Sequence, residues 1–512
     1  MAAKMDFLID AELSNSTILG LVAASFAVWY VVTALTAWYR LRHLPGPILA
    51  KFSYLWQAHT IATLQVSSRY LNLREYGPLV VTAPNTVVTD DPDILRKIAS
   101  TKSTYKRSWW YAGAKFTSDT DSMGTQVDTV AHDILKAKTA GPYAGRQTEG
   151  GLERAVDAQL VRLVDLIRRK YLSRGDELRS IDFAKLSRCF TLDVISGLVF
   201  GNPWGHLDEG EDVLGWIGTM DKLLPTMSVS LEIPALRNIF IPKYGLLRWL
   251  GPKASDKSGL GVVMRHVNEA IRQRFENKDK PTKDMMGGFI RNGMTKRECE
   301  GEAILAVLAG NDTTASTIRS SMLYLLATPR AYSRFKKEIK EAVEGGKVSS
   351  PITNEESQRL PYTQAIMWES FRIGTAVTFG HYKVVPPGGD TFAGYFLPEG
   401  TEIGHNSIAL THNKKIFGDD ADIFRPERFI DSDPDQKTEM MRALDMIWGG
   451  GRWTCAGKNV AYLELNKTLF ELMRHFDFQV VDVHTPVKER AYITKLHEDM
   501  FVRISEADWS AI

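Results

Sequence analysis

Cysteine is scarce in this chain: Cys189, Cys299 and Cys455 are the only three in 512 residues. Three widely spaced thiols cannot build a disulfide framework, which excludes a stapled secreted scaffold and puts the bulk of the chain in a reducing compartment. An excess of one charge is also missing. Lys and Arg number 63 and Asp and Glu 61, a net charge of +2, so there is no global basic field for nucleic acid and no acidic tail. No internal repeat and no long low-complexity linker divides the chain. Length alone would suggest about three domains; the missing linkers argue instead for one large soluble domain. What is present is an ordinary globular balance, 44% hydrophobic and 24% charged residues, which excludes a disordered or collagen-like chain.

The N-terminus departs from that balance. No charged residue occurs from Leu13 to Tyr39, and the 21 residues Ile18 to Trp38 are its most apolar part. At 1.5 Å per residue they span about 31 Å, enough to cross a bilayer core, with Trp38 and Tyr39 where an interfacial aromatic belt would sit. A cleaved signal peptide would need a basic leader and a shorter apolar core. Here Asp6, Asp10 and Glu12 precede the span, while Arg40, Arg42 and Lys51 follow it. The positive-inside rule then places the rest of the chain in the cytosol. The reading is a short lumenal segment over residues 1–17, an anchor over 18–38, a basic and proline-containing hinge over 39–50, and a cytosolic domain over 51–512. The glycosylation-like triplets at Asn15, Asn311 and Asn466 are discounted on this orientation.

The soluble part reads as mostly helical with small sheets at its two ends. Leu79-Val80-Val81 and Val87-Val88 around Ala83-Pro84-Asn85 predict a β-hairpin, and Asp91-Pro92 a capped helix start. Helical periodicity marks Leu152–Tyr171, Phe183–Phe200, Val262–Phe275, Arg297–Leu326, Ala331–Glu344, Glu355–Phe371 and Lys458–His475. Short β-rich runs occupy Lys383 to Leu410.

Four local patterns carry chemistry. In Trp448-Gly449-Gly450-Gly451-Arg452-Trp453-Thr454-Cys455-Ala456-Gly457-Lys458, the glycines allow a tight turn and close approach of something planar. An apolar helix follows, so Cys455 lies near a helix N-terminus, which favours a thiolate. No partner ligands are spaced for zinc, and a single thiolate suits an axial haem ligand; the alternative is a buried small hydrophobe. The run Ala309-Gly310-Asn311-Asp312-Thr313-Thr314 interrupts an apolar stretch. Thr313 could leave a polar notch in a loosened helix and Asp312 could serve as a proton donor; alternatively one helix ends at Gly310 and Asp312 caps the next. Glu369 and Arg372, three apart on a helix, read alone as a common ion pair. Arg428, in Phe424-Arg425-Pro426-Glu427-Arg428-Phe429, could reach Glu369 and complete a buried network, or mark a surface turn.

In this order, the patterns resemble the cytochrome P-450 superfamily of haem-thiolate monooxygenases, over essentially the whole chain. The resemblance implies a mainly α fold with small β-sheets (α+β) behind a single N-terminal transmembrane helix, and haem b with Cys455 as axial iron ligand. It makes Asp312 and Thr313 the acid–alcohol pair that relays protons, and Glu369, Arg372 and Arg428 a structural triad. Two departures stand out: Trp448 replaces the usual Phe seven residues before the cysteine, and Trp453 replaces the usual basic residue two before it, with Arg452 one step earlier. Arg452, His132, Lys136 and Lys383 are the candidate haem-propionate partners.

The implied reaction uses O2 and NADPH-derived electrons to insert oxygen into a lipophilic small molecule. The chain carries no dinucleotide fingerprint, so electrons come from a membrane-bound NADPH–cytochrome reductase, and the implied location is the endoplasmic reticulum membrane. Lys136, Lys138, Arg442, Arg452, Lys458 and Lys467 are candidates for its docking face. Segments from Trp109 to Asp128, Thr191 to Trp249 and Thr375 to Phe379 would line the pocket, with Trp109, Trp110, Phe116, Val377 and Phe379 making it apolar. Ile233 to Pro242 could dip into the membrane. The Gly-Arg-Trp-x-Cys variant is similar to filamentous fungal members, which points to secondary-metabolite tailoring of terpenoids, alkaloids or polyketides. The alternatives are a haem-thiolate isomerase or dehydratase acting on an oxygenated lipid, which the Asp312–Thr313 pair disfavours, and a non-catalytic haem-binding protein.

Overall fold

A 31-residue helix, Lys296–Leu326, forms the axis of the fold. It starts at a capping box in which Thr295 and Glu298 satisfy each other's backbone amides. The computed structural model describes residues 15–117, 119–148, 150–242, 244–277 and 282–511. Helices Phe183–Phe200, Leu260–Glu276, Pro361–Ile373 and Lys458–His475 pack around the axial helix. The first comes closest: a Cβ added to Gly310 would stand 2.9 Å from the Ile195 side chain. Gly310 and Asn311 therefore do not end the helix. The glycine admits a neighbour, and the Asn311 amide oxygen accepts a 2.7 Å hydrogen bond from the Thr191 hydroxyl.

A five-stranded sheet flanks this bundle in the order Leu79–Ala83, Thr86–Thr89, Glu402–Asn406, Phe379–Val384, Lys106–Arg107. The hairpin expected at Ala83-Pro84-Asn85 is present, with Asn85 at φ +67°. Asp91 caps the helix Pro92–Ala99 by accepting from the amides of Asp93 and Ile94. The register of Phe379–Val384 against Glu402–Asn406 slips between Gly380 and Lys383, and this irregularity faces the central cavity. The final helix, Lys458–His475, spans the residues its periodicity predicts.

Several expectations fail locally. The helix expected over Glu355–Phe371 is two, Asn354–Gln358 and Pro361–Ile373, because Pro361 can start a helix but not continue one. The β-rich stretch ending at Leu410 gives way at Asn406, whose side chain caps a short helix, Ser407–Thr411. Periodicity overlooked helices Thr129–Tyr143, Trp216–Glu232 and Pro434–Asp445; the first two contain a proline, Pro142 and Pro225.

The N-terminal helix Asn15–Leu41 includes an apolar stretch, Thr17–Leu41, long enough to cross a membrane and exposed over most of its length, with Leu41 buried in the body. Residues 1–14 of the expected lumenal segment lie outside the described residues. The helix is fastened to the body at its C-terminal half. The Tyr30 hydroxyl donates to Ser53 Oγ at 2.7 Å, Trp38 stacks on Phe52 at 5.7 Å, and Arg40 donates to the Glu399 carbonyl at 2.6 Å. The proline segment after it is docked too. The Val81 amide donates to the Pro45 carbonyl at 2.9 Å, and a Cβ on Gly46 would sit 2.6 Å from the Val81 oxygen.

Candidate active site

The cysteine loop lines a central cavity that the axial helix also lines. Gly449 and Gly451 adopt φ of +74° and +55°, and a Cβ on Gly451 would stand 2.3 Å from the Ala99 carbonyl oxygen. Only glycine fits such a turn at low cost. The Cys455 amide donates to the Trp448 carbonyl at 2.7 Å, closing the loop. The Trp448 ring packs edge-on against Phe371 at 4.9 Å and on Tyr462 at 5.3 Å. The Cys455 thiol is exposed to a central cavity of about 430 Å³. Its deep setting raises the thiol pKa, while the amides of Gly457 and Lys458 and the charge of Lys136 favour the thiolate. Cys189 and Cys299 are buried thiols pushed up to about 12, chemically inert by comparison.

Asp312 and Thr313 reach the same cavity from the axial helix. Thr313 Oγ1 donates to the Ala309 carbonyl at 2.7 Å, one turn back. Asp312 is not a free acid: its Oδ1 forms a 2.8 Å ion pair with Arg188 Nε, and Arg188 also binds Asp221 at 2.7 Å. Asp312 Oδ2 is buried and unpartnered. Sequence reading missed Arg188, for which helical periodicity gives no signal.

Glu369, Arg372 and Arg428 are fully buried and come together. Arg372 Nε and Nη2 each bind Glu369 at 2.7 Å, and Arg428 Nε reaches it at 3.1 Å. Arg372 also donates to the carbonyls of Thr411, Ala421 and Ile423, and the Arg425 amide donates to Glu369 at 2.7 Å. The ion pair expected between Glu369 and Arg372 is present, and this burial excludes the surface-turn alternative at Arg428. The network lies behind the cysteine loop, joined to it through Phe371.

One wall of the cavity is cationic. Lys383 Nζ lies 3.7 Å from the centroid of the Trp453 ring, and Arg107 and His132 approach the same ring at 4.5 and 4.4 Å. Lys383 Nζ and Arg107 Nε are buried without hydrogen-bond partners, as are the Nδ1 atoms of His381 and His405. Burial lowers the Lys383 pKa well below the ordinary lysine value and holds His132 down to about 4 and His381 to about 4. A buried cation left unpaired is costly, so this wall is shaped for an anion.

A family model described as cytochrome P450 matches residues 65–499. The chain belongs to the cytochrome P450 family. Three relatives named as cytochrome P450 monooxygenases align over most of the chain. ABA1 of Pyricularia oryzae is 40% identical over 501 residues, 96% of each chain. Aba1 of Botryotinia fuckeliana is 40% identical over 473 residues, 91% of this chain and 92% of its own. Abl1 of Leptosphaeria maculans is 37% identical over 489 residues, 93% and 85% respectively. The chain is a P450 monooxygenase, an oxidoreductase of haem iron and O2.

The P450 cavity fits that haem. The orphaned Lys383 and Arg107 nitrogens suit its propionates, Gly449, Gly450 and Gly457 line the cavity without side chains, and the thiol is exposed to it. The geometry also sorts the expected partners. His132 and Lys383 line the cavity, as does Trp448, whereas Arg452 turns away to bind Asp133 at 2.5 Å and the Thr101 carbonyl at 3.0 Å. The one-residue displacement of the basic side chain in the turn is the reason. Lys136 holds the loop instead, donating to the carbonyls of Arg452 at 2.5 Å and Thr454 at 3.4 Å. Arg107, His381 and His405 were missed; His381, two residues before Lys383 in a strand, was open to detection by alternation.

The expected pocket aromatics divide as well. Trp110 and Val377 line the cavity, while Trp109 is exposed, Phe116 lines a smaller neighbouring pocket, and Phe379 stacks on Tyr70 at 4.1 Å. The expected docking face is largely neutralised. Lys138 pairs with Glu298, Lys458 with Asp445 and Arg452 with Asp133, and Lys467 is buried against Glu153 and Asp157; Arg442 is exposed.

Proposed function

We propose that this P450 oxidises a lipophilic small molecule of the terpenoid, alkaloid or polyketide type, using NADPH-derived electrons delivered by a membrane-bound reductase. The N-terminal helix is the single-pass anchor of an enzyme of the endoplasmic reticulum membrane, with the catalytic domain on the cytosolic side. The observation that carries the reading is the cavity itself. Cys455 opens into it on one side and Asp312 and Thr313 on another, and the remaining walls are mostly apolar: Ile195, Leu224, Met227, Leu231, Leu305 and Val377. Such a lining buries apolar surface and orients a ligand through few polar groups. Exposed Ile239, Leu246, Trp249 and Leu250 lie on the segment after the cavity-lining helix Trp216–Glu232 and supply a route for membrane-dissolved substrate.

Bound haem with a thiolate ligand supplies oxygen activation. This chain's residues hold Cys455 in place, exclude water through the apolar wall, and carry protons. Thr313 Oγ1 gives its hydrogen to Ala309 and keeps its lone pairs for an incoming donor. Asp312 Oδ2 is free to take up and pass a proton while Oδ1 stays tied to Arg188. Lys383, Arg107 and His132 would hold the propionates of a bound haem.

The test is purified full-length protein with reductase, NADPH and O2, and Cys455→Ser beside it. The unaltered protein gives the red-shifted carbon monoxide band of reduced haem-thiolate and substrate-dependent NADPH and O2 consumption; Cys455→Ser loses the band. Survival of the band in that variant refutes the ligand assignment. Turnover of an oxygenated lipid without NADPH or O2 refutes the monooxygenase reading of the site.

A further inference from the structure

One buried carboxyl group has no part in the proposed chemistry yet touches the cavity wall through another residue. Glu232 is the last residue of helix Trp216–Glu232 and is 7% exposed. Its Oε1 accepts from the indole Nε1 of Trp110 at 2.6 Å, and its Oε2 accepts from Gln57 Nε2 at 3.2 Å. Gln57 in turn accepts from the Tyr70 hydroxyl at 3.0 Å. Arg237, the nearby cation, donates instead to the Leu231 carbonyl at 2.6 Å. Burial pushes the Glu232 carboxyl up to about 8, so it is mostly the neutral acid at neutral pH. In that form it sits at a helix C-terminus without opposing the dipole.

The partner it holds is a wall residue. Trp110 lies in the 3-10 turn Trp109–Ala114, and Trp110 and Tyr111 from that turn line the cavity together with Ser228 and Leu231 from the helix. Trp110 is confined on its other edges as well. It stands edge-on to Tyr111 at 5.1 Å and to Tyr382 at 5.5 Å, and a Cβ on Gly380 would sit 3.1 Å from its ring. A second close contact parallels the first: a Cβ on Gly113 would lie 2.9 Å from the Leu231 side chain. The turn and the helix end are thus pressed together, and among the described residues the Glu232–Trp110 hydrogen bond is the one side-chain hydrogen bond between them. A buried indole N–H left without an acceptor is costly, so losing Glu232 favours any displacement that brings the N–H to water and opens the wall.

We propose that Glu232 is a positioning residue that fixes the Trp110 wall and so sets the largest ligand the P450 cavity accepts. The inference rests on the haem-monooxygenase reading of that cavity, and azole ligands that bind haem iron through nitrogen separate the two. Imidazole is small enough to ignore the wall; clotrimazole, with its triphenylmethyl group, is not. Holoprotein of the full chain is titrated with each, and the dissociation constant is read from the shift of the haem absorption band.

Glu232→Ala and Trp110→Phe should each change the clotrimazole-to-imidazole affinity ratio by about tenfold, the scale of one buried hydrogen bond. In Glu232→Ala, which lies outside the cavity lining, imidazole affinity itself should stay within about twofold of the unaltered protein, since nothing at the iron changes. Glu232→Gln keeps an acceptor for the indole N–H and should restore the original ratio. An unchanged ratio with normal imidazole binding overturns the proposal and leaves the haem reading intact. A Glu232→Gln protein as altered as Glu232→Ala also overturns it, because the acceptor would then not be what matters. Should Glu232→Ala fail to retain haem, Trp110→Phe decides the question alone. If imidazole produces no shift in the unaltered protein, the haem reading falls, and this proposal with it.

Discussion

Glu369→Gln removes the one carboxylate that Arg372 has. The buried network then holds two guanidiniums, and their remaining partners are unequal. Arg428 keeps Asp420 Oδ1 at 3.0 Å, but Arg372 keeps only the carbonyls of Thr411, Ala421 and Ile423. Breaking a buried ion pair from one side costs about 3–5 kcal/mol, because the surviving charge stays desolvated. We expect a loss near the middle of that range, about 4 kcal/mol or roughly three decades in the folding equilibrium. The control is Arg425→Ala. Arg425 donates its backbone amide to Glu369, while its side chain forms a partly exposed pair with Asp420; removing that side chain should cost less than about 1 kcal/mol. Guanidinium chloride midpoints of the holoprotein, followed by far-ultraviolet circular dichroism and by the haem band, compare the two. The haem band should be lost first in Glu369→Gln, because Phe371 carries the damage to Trp448 and the cysteine loop. The double variant Glu369→Leu with Arg372→Met should be more stable than Glu369→Gln. A Glu369→Gln midpoint equal to that of Arg425→Ala, or a double variant weaker than the single, refutes this electrostatic reasoning.

Three further outcomes are expected. Thr313→Ala should consume NADPH faster than it forms product, since the hydroxyl on the Ala309 turn is then missing from the proton path; product per NADPH unchanged from the unaltered protein removes Thr313 from the relay. Lys383→Met replaces a buried amine that has no hydrogen-bond partner in the protein, so haem should transfer to apomyoglobin about tenfold faster, a loss of about 1.4 kcal/mol; an equal transfer rate rejects the propionate assignment. Glu302, which accepts from the Met123 amide at 2.9 Å and from the Tyr143 hydroxyl at 3.3 Å, is raised by burial from 4.5 to about 7. The folded state therefore binds its proton more tightly than the unfolded state. Its contribution is fully present below pH 4.5 and is lost as pH rises through 7, a fall of roughly 3 kcal/mol. Glu302→Gln should flatten the stability profile across that window, and an unaltered slope would exclude Glu302 as its source.

The long elements were legible because their signals are repeated many times. Lys458–His475 and Phe183–Phe200 each carry an apolar face over five turns, and both occur where periodicity puts them. The turns Ala83-Pro84-Asn85 and Asp91-Pro92 were legible because single residues there have few conformations open to them. Helix Trp216–Glu232 was hidden by Pro225, whose local penalty is overridden by packing against neighbours that a sequence does not display. The site divides in the same way. Cys455 and the Glu369 network are encoded in short contiguous patterns. The nitrogen-rich wall, with Arg107, Lys383 and the neutral imidazoles of His132 and His405, comes from separate strands and a helix, so no local window contains it. Arg452 shows the opposite failure: its chemistry was right for a propionate, but the φ of +55° at Gly451 aims the turn elsewhere.

The docking of Pro45 and Gly46 onto Val81 has a mechanical consequence. With the N-terminal helix standing in a bilayer, the catalytic body has no swivel beneath it. At the end of the span, Trp38 and Arg40 bolt the mast to the hull, and the backbone bond at Pro45 removes the slack that a free tether would provide. Height above the membrane and tilt toward it are then properties of this chain alone. If the proposed reductase shares that membrane, the reach and rotation needed for docking and release would have to come from it.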